Sequence, residues 1–475
     1  MRAFRVAGWE YSLKKLERIS KKKHYAERFR FEYYIFLSGK SKKKDAFQSV
    51  VENILGYLNE VRLIIKHQLF QAKNPIKDHR VIVFLSNNNS FLKTIVPIVK
   101  RLIQEGENPL LICAANHLQP LTANSLSIGF GDRLQIAEQI EAYQGPLKKT
   151  AMICYAVFRS TVDLLWFAFQ PIKMSGTASF AFWKYALLHH YYSPFWHTML
   201  KENHLKILSA DDQYAWESLI IDNAHDTQSE TFIFQHGKIS ELYYPSFAKK
   251  LCLWGSMDKK VMLDEYGATD TELVNIGSPY FDNVFNEVGQ KNKSGNRQTK
   301  YITFLGQPFY RAWYQTVPFY QQALDWFYKL SENKSFDLQF IFKPHPHDHM
   351  AFYTNMPASV KILNENILSI LYESLIIVTI DSTSMLEAAA CQRPTIQVLP
   401  AGSEVFIDET HTKIAIKAET WEQFETLTHK LNDDPAFYSQ TVEDSSKALE
   451  LYFFNLGHSL EKIMDLVCPD SNPID

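Results

Sequence analysis

Phe340-Ile341-Phe342-Lys343-Pro344-His345-Pro346, taken with Thr379-Ile380-Asp381-Ser382-Thr383-Ser384-Met385-Leu386-Glu387, decides how this chain is expected to fold. In each stretch a short apolar run of β character stops abruptly at polar or small residues. Ligands of open parallel sheets bind just outside the carboxyl ends of the strands, so two such stops mark a binding edge. The first offers a lysine and an imidazole, and prolines on both sides of His345 fix its backbone. The second offers three consecutive hydroxyls ahead of a helix whose N-terminus suits an anion. Together they predict a phosphate clamp for a nucleotide. Its members are Lys343, His345, Pro346, Ser382, Thr383, Ser384 and Glu387, with Gly306 ending the first strand of the same domain. Other readings of the same residues are a turn histidine, a plain helix cap with Glu387 closing onto Ser384, and a metal site. The last would use His345, His347, Asp348 and His349, which alternate at ligand-like spacing. The expectation is a clamp with neither metal nor other cofactor.

Strand and helix signals alternate on both sides of this pair. Arg80–Ser86, Pro109–Ala114, Leu205–Ser209, Thr231–Phe234, Leu251–Gly255 and Val274–Ile276 read as buried strands. Asn87–Ser90 reads as a turn and helix cap, and a helix from about Phe91 to Gln104 stops at Gly106. A polar stretch from Gly289 to Asn296 has a linker's composition. A second series starts at Tyr301–Gly306 and ends in helices from Trp421 to about Leu466. Repeated β-α-β order announces parallel sheets with crossover helices. The fold class is therefore α/β, with two Rossmann-like domains. Residues 1–285 form the first, 300–430 the second, and 431–475 are C-terminal helices. Between about 120 and 200 the pattern is helical and aromatic, from Trp166 through Tyr191, Tyr192 and Trp196. This insert is either packed on the sheet or a surface facing acceptor or membrane.

Length and charge narrow the function. A chain of 475 residues exceeds one hydrophobic core. Fifty basic residues against 52 acidic ones exclude a dedicated nucleic-acid binder. The basic residues are concentrated before residue 45, from Lys14 to Lys44, which suits an anionic membrane surface or simply a solvated face. Five scattered cysteines, with no CxxC pair, argue for a reducing compartment. No signal peptide or membrane helix is expected, and the localisation read from this is cytoplasmic, with peripheral contact at the inner face of a membrane.

In the first domain the chemistry falls on two strand ends. Asp211 and Asp212 follow one, as a general base or as a routine helix cap. Gln235-His236-Gly237 follows the next, with a glycine that allows close approach beside the imidazole. These residues resemble inverting transferases of the GT-B arrangement, and in particular the CDP-glycerol glycerophosphotransferases, polysialyltransferases and capsular Kdo transferases of bacterial surfaces. His345-Pro346 and Ser382-Thr383-Ser384 match that group in order and rough spacing. Gln235-His236-Gly237, Ala248 to Gly255 and Asn275 to Asp282 look like a stretch common in its capsule members. The likeness covers about residues 205–400. It implies a nucleotide-activated donor, CMP- or CDP-linked by preference, on the C-terminal domain, and a saccharide or lipid-linked acceptor on the N-terminal one. It also implies metal-independent transfer, with Asp211, Asp212 or His236 as the base. A nucleotide-sugar epimerase or hydrolase of the same shape, or a non-catalytic binding protein, are the alternatives.

Overall fold

The computed structural model describes residues 54–469 apart from 67–78, 87, 124–133, 138–139, 141, 144, 169–175, 213–214, 240–242, 244–245, 294–299, 307–316, 334, 346–352, 354, 381 and 402–412. Pro346, the His347–His349 run and the basic first 45 residues therefore lie outside the described residues.

The chain divides into two compact units. Among the described residues, one comprises those up to Leu253 together with Lys259–Asn275 and those from Leu460 onward; the other comprises those of Trp254–Asp258 and Ile276–Ser459. Each is a doubly wound α/β unit. In the first, seven strands are β1 (Val81–Phe84), β2 (Leu110–Cys113), β3 (Leu134–Ile136), β4 (Lys206–Ser209), β5 (Glu230–Phe234), β6 (Lys250–Leu253) and β7 (Leu273–Asn275). They pair in parallel in the order β3-β2-β1-β4-β5-β6-β7. In the second unit, six strands are β8 (Tyr301–Leu305), β9 (Gln339–Lys343), β10 (Val360–Ile362), β11 (Ser374–Thr379), β12 (Thr395–Val398) and β13 (Ile416–Ala418). Their order, β10-β9-β8-β11-β12-β13, repeats the same winding. The order reverses between β1 and β4 in one sheet and between β8 and β11 in the other, and a crevice opens where it does.

Central strands are buried along their length, as strands covered by helices on both faces must be: β1, β2 and β12 have no exposed residue. Most elements fall where the apolar runs put them. The exceptions are instructive. β3, β10 and β13 are three-residue pieces with exposed or half-exposed positions, which owe their form to the ladder partner and carry no periodicity of their own. The expected linker is different too. Gly289–Lys293 continue the helix Pro279–Lys293, which buried Phe281, Val284 and Val288 tie down ahead of the glycine, and residues 294–296 of the expected linker lie outside the described residues.

Much of the aromatic insert is core. Tyr191, Tyr192 and Trp196 of the helix Gly176–Asn203 are fully buried, and Tyr192 meets Trp216 edge-on at 4.6 Å. Each such side chain contributes about 1.5–3 kcal/mol of burial, enough to hold a long helix of weak amphipathicity on a sheet. The neighbouring helix Pro146–Ala168 does keep Tyr155, Phe158, Val162 and Leu165 exposed. Among the described residues no helix is long and apolar enough to cross a membrane. All five cysteines are free thiols.

Two glycines of the second unit and its neighbouring acid have packing tasks. A Cβ at Gly255 would overlap the backbone of Tyr452, and one at Gly277, whose φ is +88°, would overlap the carbonyl of Phe454. Asp282 accepts hydrogen bonds from the amides of Gly457 and Ser459. After this anchored loop the helix Ser459–Val467 begins, and Lys206 of β4 donates to the carbonyl of Val467.

Candidate functional site

In the second unit the carboxyl ends of β9, β8 and β11 lie side by side. Gly306 ends β8, and its amide donates to Lys343 O at 2.8 Å. A Cβ there would stand 3.1 Å from Lys343 O and 3.2 Å from His345 N, so a side chain would press the two strand ends apart by a few tenths of an ångström. Lys343 and His345 are half-buried beside it, and burial lowers the Lys343 ammonium below its ordinary value. The Lys343 ammonium donates to Pro344 O at 3.3 Å, which bends it back over its own strand end.

On the other side of β8, Ser382, Thr383 and Ser384 follow β11, all half-buried. Ser382 Oγ accepts the amide of Ser384 at 3.2 Å, while Thr383, in helical geometry, makes no side-chain cap. Glu387 makes no capping box. It is buried and accepts the hydroxyl of Tyr280, whose pKa burial and the carboxylate together push up. Its helix, Ser384–Ala390, turns every residue from Met385 onward inward, and there Tyr280 supplies the partner. The structure thus brings Gly306, Lys343 and His345 together, sets Ser382–Ser384 across the β8–β11 switch point, and engages Glu387 from beneath. Among the described residues no cluster of histidine, cysteine, aspartate or glutamate could hold a metal.

In the first unit the end of β4 is a tight turn in which Ser209 Oγ donates to Asp211 O at 2.7 Å. Asp212 is buried, and its Oδ2 accepts from Phe247 N at 2.7 Å and Ser246 Oγ at 3.3 Å, stapling the loop after residue 245 to the sheet. Asp211 stays half-buried. His236, at the end of β5, places Nδ1 2.8 Å from Ala210 O. A carbonyl only accepts, so Nδ1 carries the proton and Nε2 is the nitrogen with a lone pair. Burial pushes this imidazole down to about 4, partly offset by the Ala210 bond. Its ring lies 4.1 Å from that of Phe91.

Sequence reasoning missed two residues here. Tyr243 Oη accepts the amides of His236 at 3.2 Å and Gly237 at 3.0 Å and lies 3.0 Å from His236 Nδ1, fixing the turn. Glu217 is buried in the helix Ala215–Ala224, and burial lifts its carboxyl to about 7. A signal existed for the second. Trp216 to Ile221 is apolar apart from Ser218 and this one carboxylate, so no polar face awaits it.

No family model and no curated protein matches the chain. Solved structures do. UDP-GlcNAc 2-epimerase from Neisseria meningitidis, bound to UDP-GlcNAc, aligns over 82% of this chain and 99% of its own at 10% identity, with a TM-score of 0.52. A glycosyltransferase from Rickettsia africae (82% and 98%, 12% identity) and the wall teichoic acid polymerase TagF (91% and 98%, 12% identity) score 0.47 and 0.46. At such identities the likeness is one of fold. This chain has the two-domain α/β fold of the GT-B kind.

Proposed function

We propose that this protein is a metal-independent glycosyltransferase. It would move a sugar, or a glycerol-phosphate-like unit, from a nucleotide donor to a saccharide or lipid-linked acceptor in surface polysaccharide synthesis. One observation carries the reading: Lys343 and His345 on one side, and Ser382–Ser384 on the other, flank Gly306 at the β8–β11 switch point. A cation, an imidazole and hydroxyl donors fixed around one crevice suit the negative charge that develops on a departing nucleotide phosphate. They supply without a metal the stabilisation that a metal gives elsewhere. Pro346 and the buried Glu387 complete the assignment, the latter as support for the helix that carries the hydroxyls. CMP- or CDP-linked donors are preferred, on the resemblance of the His-Pro and Ser-Thr-Ser motifs.

The N-terminal unit, with its basic leading segment, would take the acceptor. The exposed apolar side chains of Pro146–Ala168 suit peripheral contact with an anionic membrane. Asp212 is engaged in stapling a loop, so the weight of acceptor activation shifts to Asp211 and to His236, whose Nε2 can accept from a hydroxyl.

A thermal-shift panel tests this. CMP, CDP, UDP, GDP and ADP are added to wild type and His345→Ala, since a ligand bound to the native state raises Tm in proportion to RT ln(1 + [L]/Kd). A rise with CMP or CDP that His345→Ala abolishes is the expected result. A rise with UDP alone would retain the clamp and overturn the donor class; no rise with any nucleotide would overturn the reading. The fold shared with UDP-GlcNAc 2-epimerase supports a second reading, nucleotide-sugar epimerisation, which turnover of a UDP-sugar without acceptor would favour.

A further inference from the structure

The hydroxyl turn Ser382–Ser384 is carried by the helix that follows it, and that helix has little grip of its own. Beyond Met385 and Leu386, the buried apolar side chains of Ser384–Ala390 are Ala388, Ala389 and Ala390. An alanine buries one methyl and offers no projection to interlock with its neighbours, so a short helix packed on three of them is free to slide or turn. Local capping adds little. Ser382 Oγ accepts the Ser384 amide at 3.2 Å, and Thr383 makes no cap through its side chain.

A polar hold comes from the helix Pro279–Lys293 of the same unit. Tyr280, in its first turn, donates its hydroxyl to Glu387, which is 7% exposed. Burial and the carboxylate both push the pKa of that hydroxyl up, so it keeps its proton and donates. Glu387 lies three residues after Ser384, a spacing that makes the two side chains neighbours on one side of the helix. A shift at Glu387 is therefore a shift at the Ser384 hydroxyl. Tyr280 itself is fixed. Phe281 meets Phe453 at 4.2 Å between ring centres, and Asp282 accepts the amides of Gly457 and Ser459. The turn that carries Tyr280 is thus anchored on the chain at 453–459, and the tyrosine passes that anchorage on to the helix of the clamp.

We propose that Tyr280 is a positioning residue of the nucleotide site: through Glu387 it sets the reach of the Ser382–Ser384 hydroxyls towards the donor's phosphate. It touches no ligand. Hydrogen bonds to a phosphate weaken steeply with distance and angle, so a small displacement of the hydroxyl turn lowers affinity without unfolding the unit.

The role deepens the transferase reading above and rests on it. Calorimetric titration with CMP, CDP, UDP, GDP and ADP, well below Tm, reads affinity apart from stability, and the nucleotide that binds wild type most tightly is the probe. Tyr280→Phe keeps the ring, loses the hydroxyl and is expected to raise the Kd about tenfold. A tyrosine that only stabilises the fold would lower Tm and leave Kd alone. In a Ser384→Ala background the same substitution is expected to change Kd less than about threefold, because the hydroxyl it positions has gone. A Kd for Tyr280→Phe within about twofold of wild type overturns the proposal, as does a tenfold loss that persists undiminished in Ser384→Ala. If Tyr280→Phe does not fold, because its buried carboxylate has lost a donor, Tyr280→Phe/Glu387→Met makes both ends apolar and decides. The same rise in Kd supports the role, and wild-type affinity overturns it. Binding that His345→Ala loses and Tyr280→Phe keeps overturns the role and leaves the reading intact. A wild type that binds none of the five nucleotides overturns both.

Discussion

Glu217 is buried and His236 half-buried in the N-terminal unit, and desolvation moves their titrations in opposite senses. The carboxyl rises from its ordinary 4.5 to about 7; the imidazole falls from 6.5 to about 4. At about 1.4 kcal/mol per pH unit, each gap is worth about 3 kcal/mol of pH-dependent stability. Their signs differ. Below pH 4.5 native Glu217 and its unfolded counterpart both hold a proton. As pH rises towards 7 only the native state keeps it, so that stabilisation is fully present in acid and lost by about pH 7. His236 stays neutral in the native state while the unfolded chain takes up a proton below 6.5. Its contribution is therefore present above pH 6.5 and lost as pH falls to about 4. Between about pH 4.5 and 6.5 the two slopes cancel in the wild type. Glu217→Gln removes one of them. Its stability relative to wild type should rise by about 3 kcal/mol from pH 4.5 to 7.5, and that of His236→Gln should fall by a similar amount from pH 4 to 6.5. The assay is urea unfolding of the N-terminal unit by tryptophan fluorescence across this range. A Glu217→Gln difference that stays flat within about 1 kcal/mol would refute the claim that burial without a charge partner sets this titration.

Gly277→Ala forces a side chain into the carbonyl of Phe454 from a left-handed backbone position. It should cost about 2–4 kcal/mol, seen as a fall in Tm, and an unchanged Tm would show that the loop shifts freely. Asp212→Ala strands the amide of Phe247 and should lower stability by about 1–3 kcal/mol. Lost turnover at unchanged Tm would instead make Asp212 catalytic. Tyr243→Phe removes the oxygen that collects the amides of His236 and Gly237, and a lower Tm together with reduced turnover is expected. EDTA should leave nucleotide release unchanged; restoration by Mg²⁺ or Mn²⁺ after loss would contradict metal independence.

The fold was largely legible because central parallel strands are written as continuous apolar runs, and Val81–Phe84 or Ile376–Thr379 can be little else. Their ends could be read as well, since a polar stop after such a run is visible without coordinates. What the sequence hides is which polar residue faces a ligand and which holds the chain together. Asp211 and Asp212 are identical letters side by side, yet only the second meets the amide of Phe247, thirty-five positions away. Glu387 sits at capping-box spacing from Ser384, and a tyrosine more than a hundred residues upstream claims it. Gly255, Gly277 and Asp282, part of the stretch that suggested a family likeness, turn out to accommodate and cap the chain at 452–459. Glu217 was legible only as a lone carboxylate in the apolar run Trp216–Ile221, a signal that the strand ends overshadowed.

The described residues from Leu460 onward belong to the unit that holds β1 to β7, where Lys206 of β4 reaches the carbonyl of Val467. During synthesis the first unit therefore cannot complete its packing when its own sheet has emerged. It must wait, with that flank uncovered, until the second unit and the helix Ser459–Val467 have been synthesised. Such late, sequence-distant closure slows folding and leaves apolar surface exposed to aggregation in the meantime. Separately expressed halves cut near residue 285 should fare worse than the intact chain, the N-terminal half most of all, and adding the last sixteen residues back as a peptide should partly restore its stability.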